Sequence, residues 1–365
     1  MTSPTFSVKL FVPLIAVVMV LTMTLGLSLS LTTGTHAAGV KFHAQPRFFH
    51  FANRASDTAA RAATTRLPYW SSSFTSGGTH YTYSMVGTNP TNSTATTTVP
   101  TSIVPLKVTF SGGRTFDGTQ KVASTKASPI FQRASFSVGT SQYGDAIQRA
   151  EFWKYVSWHP SFYHVLLGAP TVTPTVNITV PAAYGSTQNS GGTPIGVIDL
   201  NWFDAHIQPL LTSHHFTTNI LPVFLTYNVF LYQGDPSNCC IIGYHNAVTN
   251  SAGLQTYIWA SYNDPGIFSV PIEDVNALSH EVSEWYNDPF VSNAVPPWSV
   301  PSEPQYGCTN LLEVGDPLVG VVFTVNGYHL QDEAYFSWFA RQRPAIGFHR
   351  QYTYLGTFTT YSPSC

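Results

Sequence analysis

From residue 69 onward the chain alternates short apolar runs with clusters of Ser, Thr, Asn, Gly and Pro. Thr79-His80-Tyr81-Thr82-Tyr83 and Ile103-Val104-Pro105-Leu106-Lys107-Val108 are rich in β-formers and bounded by polar turns, which predicts strands. Val and Thr alternate over 170–181, and further strands are predicted over 195–200, 223–232, 241–244, 254–262, 320–325 and 351–359. Helical spacing of Ile147, Ala150, Phe152 and Tyr155 predicts a helix over 146–156, with others over 203–211, 274–287 and 331–341. No internal repeat is visible. The expected fold is α+β with a largely antiparallel sheet, in a single domain over 71–365.

The N-terminal region follows a different pattern. Lys9 precedes an apolar run over 10–31 and the small residues Ala37-Ala38, the order of a secretory signal over 1–38. The run is also long enough to span a bilayer, so an uncleaved membrane anchor is the competing reading. Either way the remainder is exported, to the extracellular space or the periplasm. Residues 39–70, with Arg47, Arg54, Arg61 and Arg66 among Ala and Thr, read as a leader or linker.

Composition supports export. Charged residues make up 9% of the 365, against roughly 25% in ordinary soluble domains. A formal net charge of −2 leaves no electrostatic footprint for nucleic acid. The four cysteines suit an oxidising compartment. A bridge between neighbours is expected to be strained, so Cys239 and Cys240 are each expected to bond to one of Cys308 and Cys365. A cysteine metal cluster is the alternative, but no Cys-x-x-Cys spacing supports it.

Charge distribution sharpens the picture. Residues 155–340 contain no Lys or Arg, yet hold fourteen of the eighteen acids and eight of the thirteen histidines. Carboxylates taken out of water need a partner, a proton or a cation. Five acids fall within 273–288, in Glu273-Asp274-Val275-Asn276-Ala277-Leu278-Ser279-His280-Glu281-Val282-Ser283-Glu284-Trp285-Tyr286-Asn287-Asp288. Asp274 is the expected N-cap, and Pro289 ends the run. Val275, Leu278, Val282, Trp285 and Tyr286 share one side of this helix. His280 and Glu284, four apart, stand together on the opposite side with Glu281 beside them, so both can reach one cation. Glu281 is then placed as a general base, the logic of the His-Glu-x-x-His helix, with Glu284 in place of the second His. A carboxylate ligand suits zinc and also makes calcium or manganese acceptable.

The stretch from His280 to Pro289, followed by Leu312-Glu313-Val314-Gly315-Asp316, resembles a group of secreted bacterial proteins of largely unassigned activity. It is similar, more remotely, to the plant phosphate-induced (Exordium-type) proteins, in which His-Glu-x-x-Glu is followed by Asn/Asp-Pro and an acidic pair ahead of a Cys. Here Cys308 precedes Glu313 and Asp316. The helix motif also resembles that of the zincin metallopeptidases, which implies a zinc-dependent peptidase.

Glu313 and Asp316 lead as third metal ligand, in a Gly/Pro-bounded loop, with Asp288 as another choice. His329 is a candidate transition-state donor, as is Tyr306. His214, His215 and His245 are expected to be ordinary polar residues. No nucleophile elbow, phosphate loop or dinucleotide fingerprint is present. The resulting expectation is a secreted metal-dependent hydrolase acting on peptide, with the site within 195–365. The alternative is a secreted protein that binds glycan or cell wall and holds a structural metal. Solvent access separates the two: an open coordination position facing a cleft points to catalysis, a closed shell to structure.

Overall fold

The computed structural model describes residues 45–46, 66–159, 162–300, 307–361 and 365. The described residues belong to one compact unit. The secretory signal and most of the leader lie outside the described residues. Leu67 and Trp70 are already buried, so the packed body begins within the segment expected to be a linker.

Five strands form the backbone of the central sheet: β1 (Thr101–Phe110), β2 (Val176–Val180), β3 (Leu221–Tyr227), β4 (Gly243–Asn250) and β5 (Gly253–Tyr262). Their order is β2-β1-β3-β5-β4, with Thr115–Asp117 and Thr171–Val172 also pairing with β1. β2, β1, β3 and β5 run parallel, β4 is antiparallel to its neighbour β5, and Thr115–Asp117 is antiparallel to β1. The expectation of an α+β fold with a largely antiparallel sheet holds in part: the sheets are mostly antiparallel or mixed, and the central one is mixed with a parallel middle. Antiparallel pairing dominates the smaller units, as in Tyr69–Ser76 with Thr79–Val86.

The parallel middle has a physical signature. The first six residues of β1 and of β3 are all buried, as in strands covered on both faces. Side chains alternate between two cores. Ile103, Val223, Leu225, Ile258 and Ala260 face one; Val104, Leu106, Phe224, Tyr257 and Trp259 face the other. Helices α1 (Tyr143–Glu151) and α2 (Leu200–Ser213) lie between strands in sequence and cover opposite faces: Ala146, Ile147 and Ala150 join the first core, and Phe203, Ile207 and Leu211 the second. A third helix, α3 (Asn276–Asn287), packs onto the first face through Leu278, Val282, Trp285 and Tyr286.

The predicted strand over 223–232 divides between two sheets at Asn228, which has φ 52°. Of the helix predicted over 331–341 only Phe336–Phe339 is helical. No strand forms over 351–359, where an isolated bridge ties Thr353 to Ala334. The cysteine pairing is also corrected: Cys239 bonds to Cys240, and Cys308 to Cys365 with 6.1 Å between their Cα atoms. That span is ordinary for a disulfide, and it leaves the adjacent pair to each other. Among the described residues no helix is long and apolar enough to cross a membrane.

Candidate metal centre

Helix α3 ends as its sequence requires. Asn287 is its last residue, Asp288 caps it through a 2.6 Å bond from its backbone N–H to the Glu284 carbonyl, and Pro289 follows. Its start differs. Val275 holds the N-cap position without a side-chain bond, while Asp274, at φ 43°, forms a bridge with Asn263. That conformation turns the Asp274 carboxylate to the hairpin of β6 (Val322–Val325) and β7 (Tyr328–Gln331), where it accepts from the His329 backbone N–H at 3.1 Å. Its other oxygen lies 2.7 Å from His329 Nδ1.

No face of α3 meets solvent. All twelve residues are buried, so the side carrying His280, Glu281 and Glu284 is covered like its apolar side. The covering elements are β4, β7 and the loop through Gly315. On β4, Gly243 and His245 are two apart and point to the helix, while Tyr244 between them points to the second core. A methyl carbon on Gly243 would lie 2.7 Å from Glu281 Oε1, and one on Gly315 would lie 2.5 Å from His280 Nδ1. Each glycine thus makes room for one functional side chain.

Glu284 sits between the two imidazoles. His280 Nε2 lies 3.1 Å from Glu284 Oε2, 3.6 Å from Asp316 Oδ1 and 3.9 Å from Glu281 Oε1. His245 Nδ1 lies 3.4 Å from Glu281 Oε2 and 3.6 Å from Glu284 Oε2. Two donor triads result, His280–Glu284–Asp316 and His245–Glu281–Glu284, each with its atoms within 4.8 Å of one another. These buried groups can hold a metal ion.

The surroundings fit that role. His245 Nε2 lies 3.1 Å from the Asp288 carbonyl oxygen, which can only accept, so the Nε2 proton is fixed and Nδ1 faces the carboxylates. Gly315 N–H donates to Glu284 Oε1 at 3.1 Å. Gln331 Nε2 donates to the Gly315 carbonyl at 2.7 Å and lies 2.9 Å from His280 Nδ1, packed against the ring. Both carboxylate oxygens of Glu313 are buried without a hydrogen-bond partner among the described residues, and Oε2 is 4.0 Å from His245 Nε2. An orphaned carboxylate beside His245 is the donor chemistry a divalent cation satisfies.

Compared with protein-family models, curated proteins and solved structures, the chain has no match.

Electrostatics in the pocket follow from this crowding. Burial opposes a charge on either histidine, but Glu281 and Glu284 outweigh it at His245, and Glu284, Glu281 and Asp316 at His280. Both imidazoles are held well above their ordinary pKa. Burial likewise opposes ionisation of Glu284, yet the two histidines pull it below the usual carboxylate range. Burial raises Glu281 despite its His245 contact, and burial with the Glu284 charge pushes Glu313 and Asp316 well up. Glu333, buried and accepting from Tyr143 at 2.7 Å, is raised for the same first reason. Without Lys or Arg in 155–340, these acids must share protons or face a cation.

The structure therefore gathers His280, Glu281, Glu284 and Asp316 in the donor triads, and leaves Glu313 outside both, 4.0 Å from His245 Nε2. Asp288 is committed elsewhere: its carboxylate accepts from the backbone N–H groups of Ser292 and Asn293, both at 2.9 Å, and burial raises it to about 7. His329 stands outside the donor triads, paired with Asp274 and 3.8 Å from Glu273. Tyr306 lies outside the described residues. His245, expected to be an ordinary polar residue, is corrected to a member of the cluster. Its one sequence signal is the Gly-x-His pair on a strand, which gains meaning only once that strand packs on α3.

Proposed function

We propose that the protein is an exported metal-dependent hydrolase of peptide bonds. The observation that carries the reading is the convergence of His280, Glu284 and Asp316 donors within 4.8 Å, with Glu281 at 3.9 Å from His280 Nε2. In this reading those three residues hold the cation, zinc by preference and calcium as the alternative, and Glu313 is held in reserve beside His245. When bound, the cation supplies Lewis acidity. Glu281 takes the proton from the attacking water and returns it to the departing amine. His245 Nδ1 orients the Glu281 carboxylate and is itself aimed by the Asp288 carbonyl. The two disulfides support export to an oxidising compartment.

A second reading, a closed structural cation in a wall- or glycan-associated protein, is favoured by burial: Glu281 and Glu284 are each 2% exposed. One experiment separates the two. Purified protein is assayed for bound metal, then set against a broad peptide library as wild type, as Glu281→Gln and after chelation. Cleavage lost in both treated samples, with metal retained by Glu281→Gln, supports the hydrolase. Metal without cleavage supports the structural reading, and absence of metal removes both.

A further inference from the structure

Three cavities of about 810, 700 and 660 Å³ lie outside the buried centre. The first and second share Lys154 in their walls, and the first and third share Arg343, so the three are neighbours along one surface. Their described walls contain Lys154, Arg341, Arg343 and Arg350 and no Asp or Glu. This inverts the acidic bias of residues 155–340. Among the described residues none of these four cations forms an ion pair.

Aromatic rings accompany the cations. Arg343 lies 3.6 Å over the Tyr361 ring and Lys154 lies 5.5 Å over Tyr155. Such stacking holds a cation in place while leaving its charge unpaired. Trp153 lines the first cavity, and Trp158, 81% exposed, lines the second. Thr91, Asn92 and Ser93 in the second and Ser76 and Thr79 in the third add hydroxyl and amide groups. The backbone is also costly here: Arg341, His349 and Arg350 have φ of 56°, 52° and 59°, the left-handed region that non-glycine residues seldom occupy. Strain of this kind concentrates at ligand sites.

We infer that this row of cavities binds an extended acidic polysaccharide bearing carboxylates, as in a uronate polymer. Cations take the carboxylates, exposed rings take the sugar faces, and hydroxyl and amide side chains take the sugar hydroxyls. Four cations divided among three neighbouring cavities, each with aromatic or hydroxyl side chains beside them, suit a chain that alternates charge with sugar faces. The inference does not depend on the metal centre.

The test is calorimetric titration of the purified protein with oligogalacturonate, its carboxyl-reduced counterpart and oligo(dT). Oligogalacturonate should bind and weaken as salt rises, and the reduced polymer should not bind. Lys154→Gln with Arg343→Gln should weaken binding about tenfold or more, as should Trp158→Ala, whose exposed ring makes misfolding a poor explanation. The charge-matched control Arg114→Ala with Lys126→Ala should bind as wild type. Equal binding of the reduced polymer, no loss in the cavity variants, or tighter binding of oligo(dT) would overturn the inference.

Discussion

Gly315→Ala tests the metal centre by adding one carbon. The backbone at Gly315 is in the right-handed helical region, φ −83° and ψ −35°, so alanine meets no conformational penalty there. Without a clash, the change should stabilise by about 0.4–1 kcal/mol through the unfolded chain. The clash is real, however: the new methyl would lie 2.5, 2.7 and 2.8 Å from Nδ1, Cε1 and Cγ of His280. To reach ordinary contact the ring must retreat by about 0.9 Å. It cannot do so freely, because Gln331 and Glu284 bracket it at 2.9 and 3.1 Å. Overpacking of this kind costs about 1–3 kcal/mol, and misplacing a ligand's support lowers metal affinity by about 10–100-fold. The assay is chelator competition for zinc, with thermal melts of the metal-free protein alongside. A lower melting temperature with weaker zinc binding is expected. Unchanged affinity with a raised melting temperature would refute the claim that His280 is locked against Gly315.

Other outcomes follow from the same geometry. Replacing His280 by Ala should reduce zinc retention measured by elemental analysis, whereas His329→Ala, outside both triads, should leave it at the wild-type level. Gly243→Ala should disturb Glu281 in preference to His280, so its loss should fall on peptide cleavage more than on zinc affinity. Metal-free protein should be more stable near pH 5 than near pH 8. Burial raises Glu151 from 4.5 to about 8, so the folded state binds the extra proton between these values and stability falls as pH rises through them. The raised histidines act in the same direction. Glu151→Gln should flatten the pH dependence of the melting temperature, a difference on the order of 4 kcal/mol across that window.

Much of the centre was readable because its signals are local. Acid density, the His280–Glu284 spacing and Pro289 all lie within α3, and Glu313 and Asp316 share a short loop. What could not be read depends on partners distant in the chain. His245 sits on a strand whose inward face is defined only by α3 packing upon it. Asp274 carries the composition of an N-cap, but its bridge to Asn263 redirects the carboxylate to His329. Burial of the polar side of α3 was hidden as well, since a helix with one polar stripe suits solvent or a filled interior pocket equally. Parallel pairing went unseen because β1 and β2 lie 65 residues apart between Phe110 and Val176, and α1 was the only long helix in that gap. The alternation of Val and Thr near β2 reads the same in either strand direction.

The donor set of the centre is assembled rather than carried. His245 comes from a strand, His280, Glu281 and Glu284 from a helix, and Asp316 from a loop beyond it. A calcium loop or a zinc finger keeps its ligands within one short segment and can be moved between proteins as a unit. Here an excised α3 would keep its motif and lose its partners, so the motif is not a transferable module. Retention of a cation by these groups would then report on architecture, since the donors meet only when β4, α3 and the Gly315 loop have docked together.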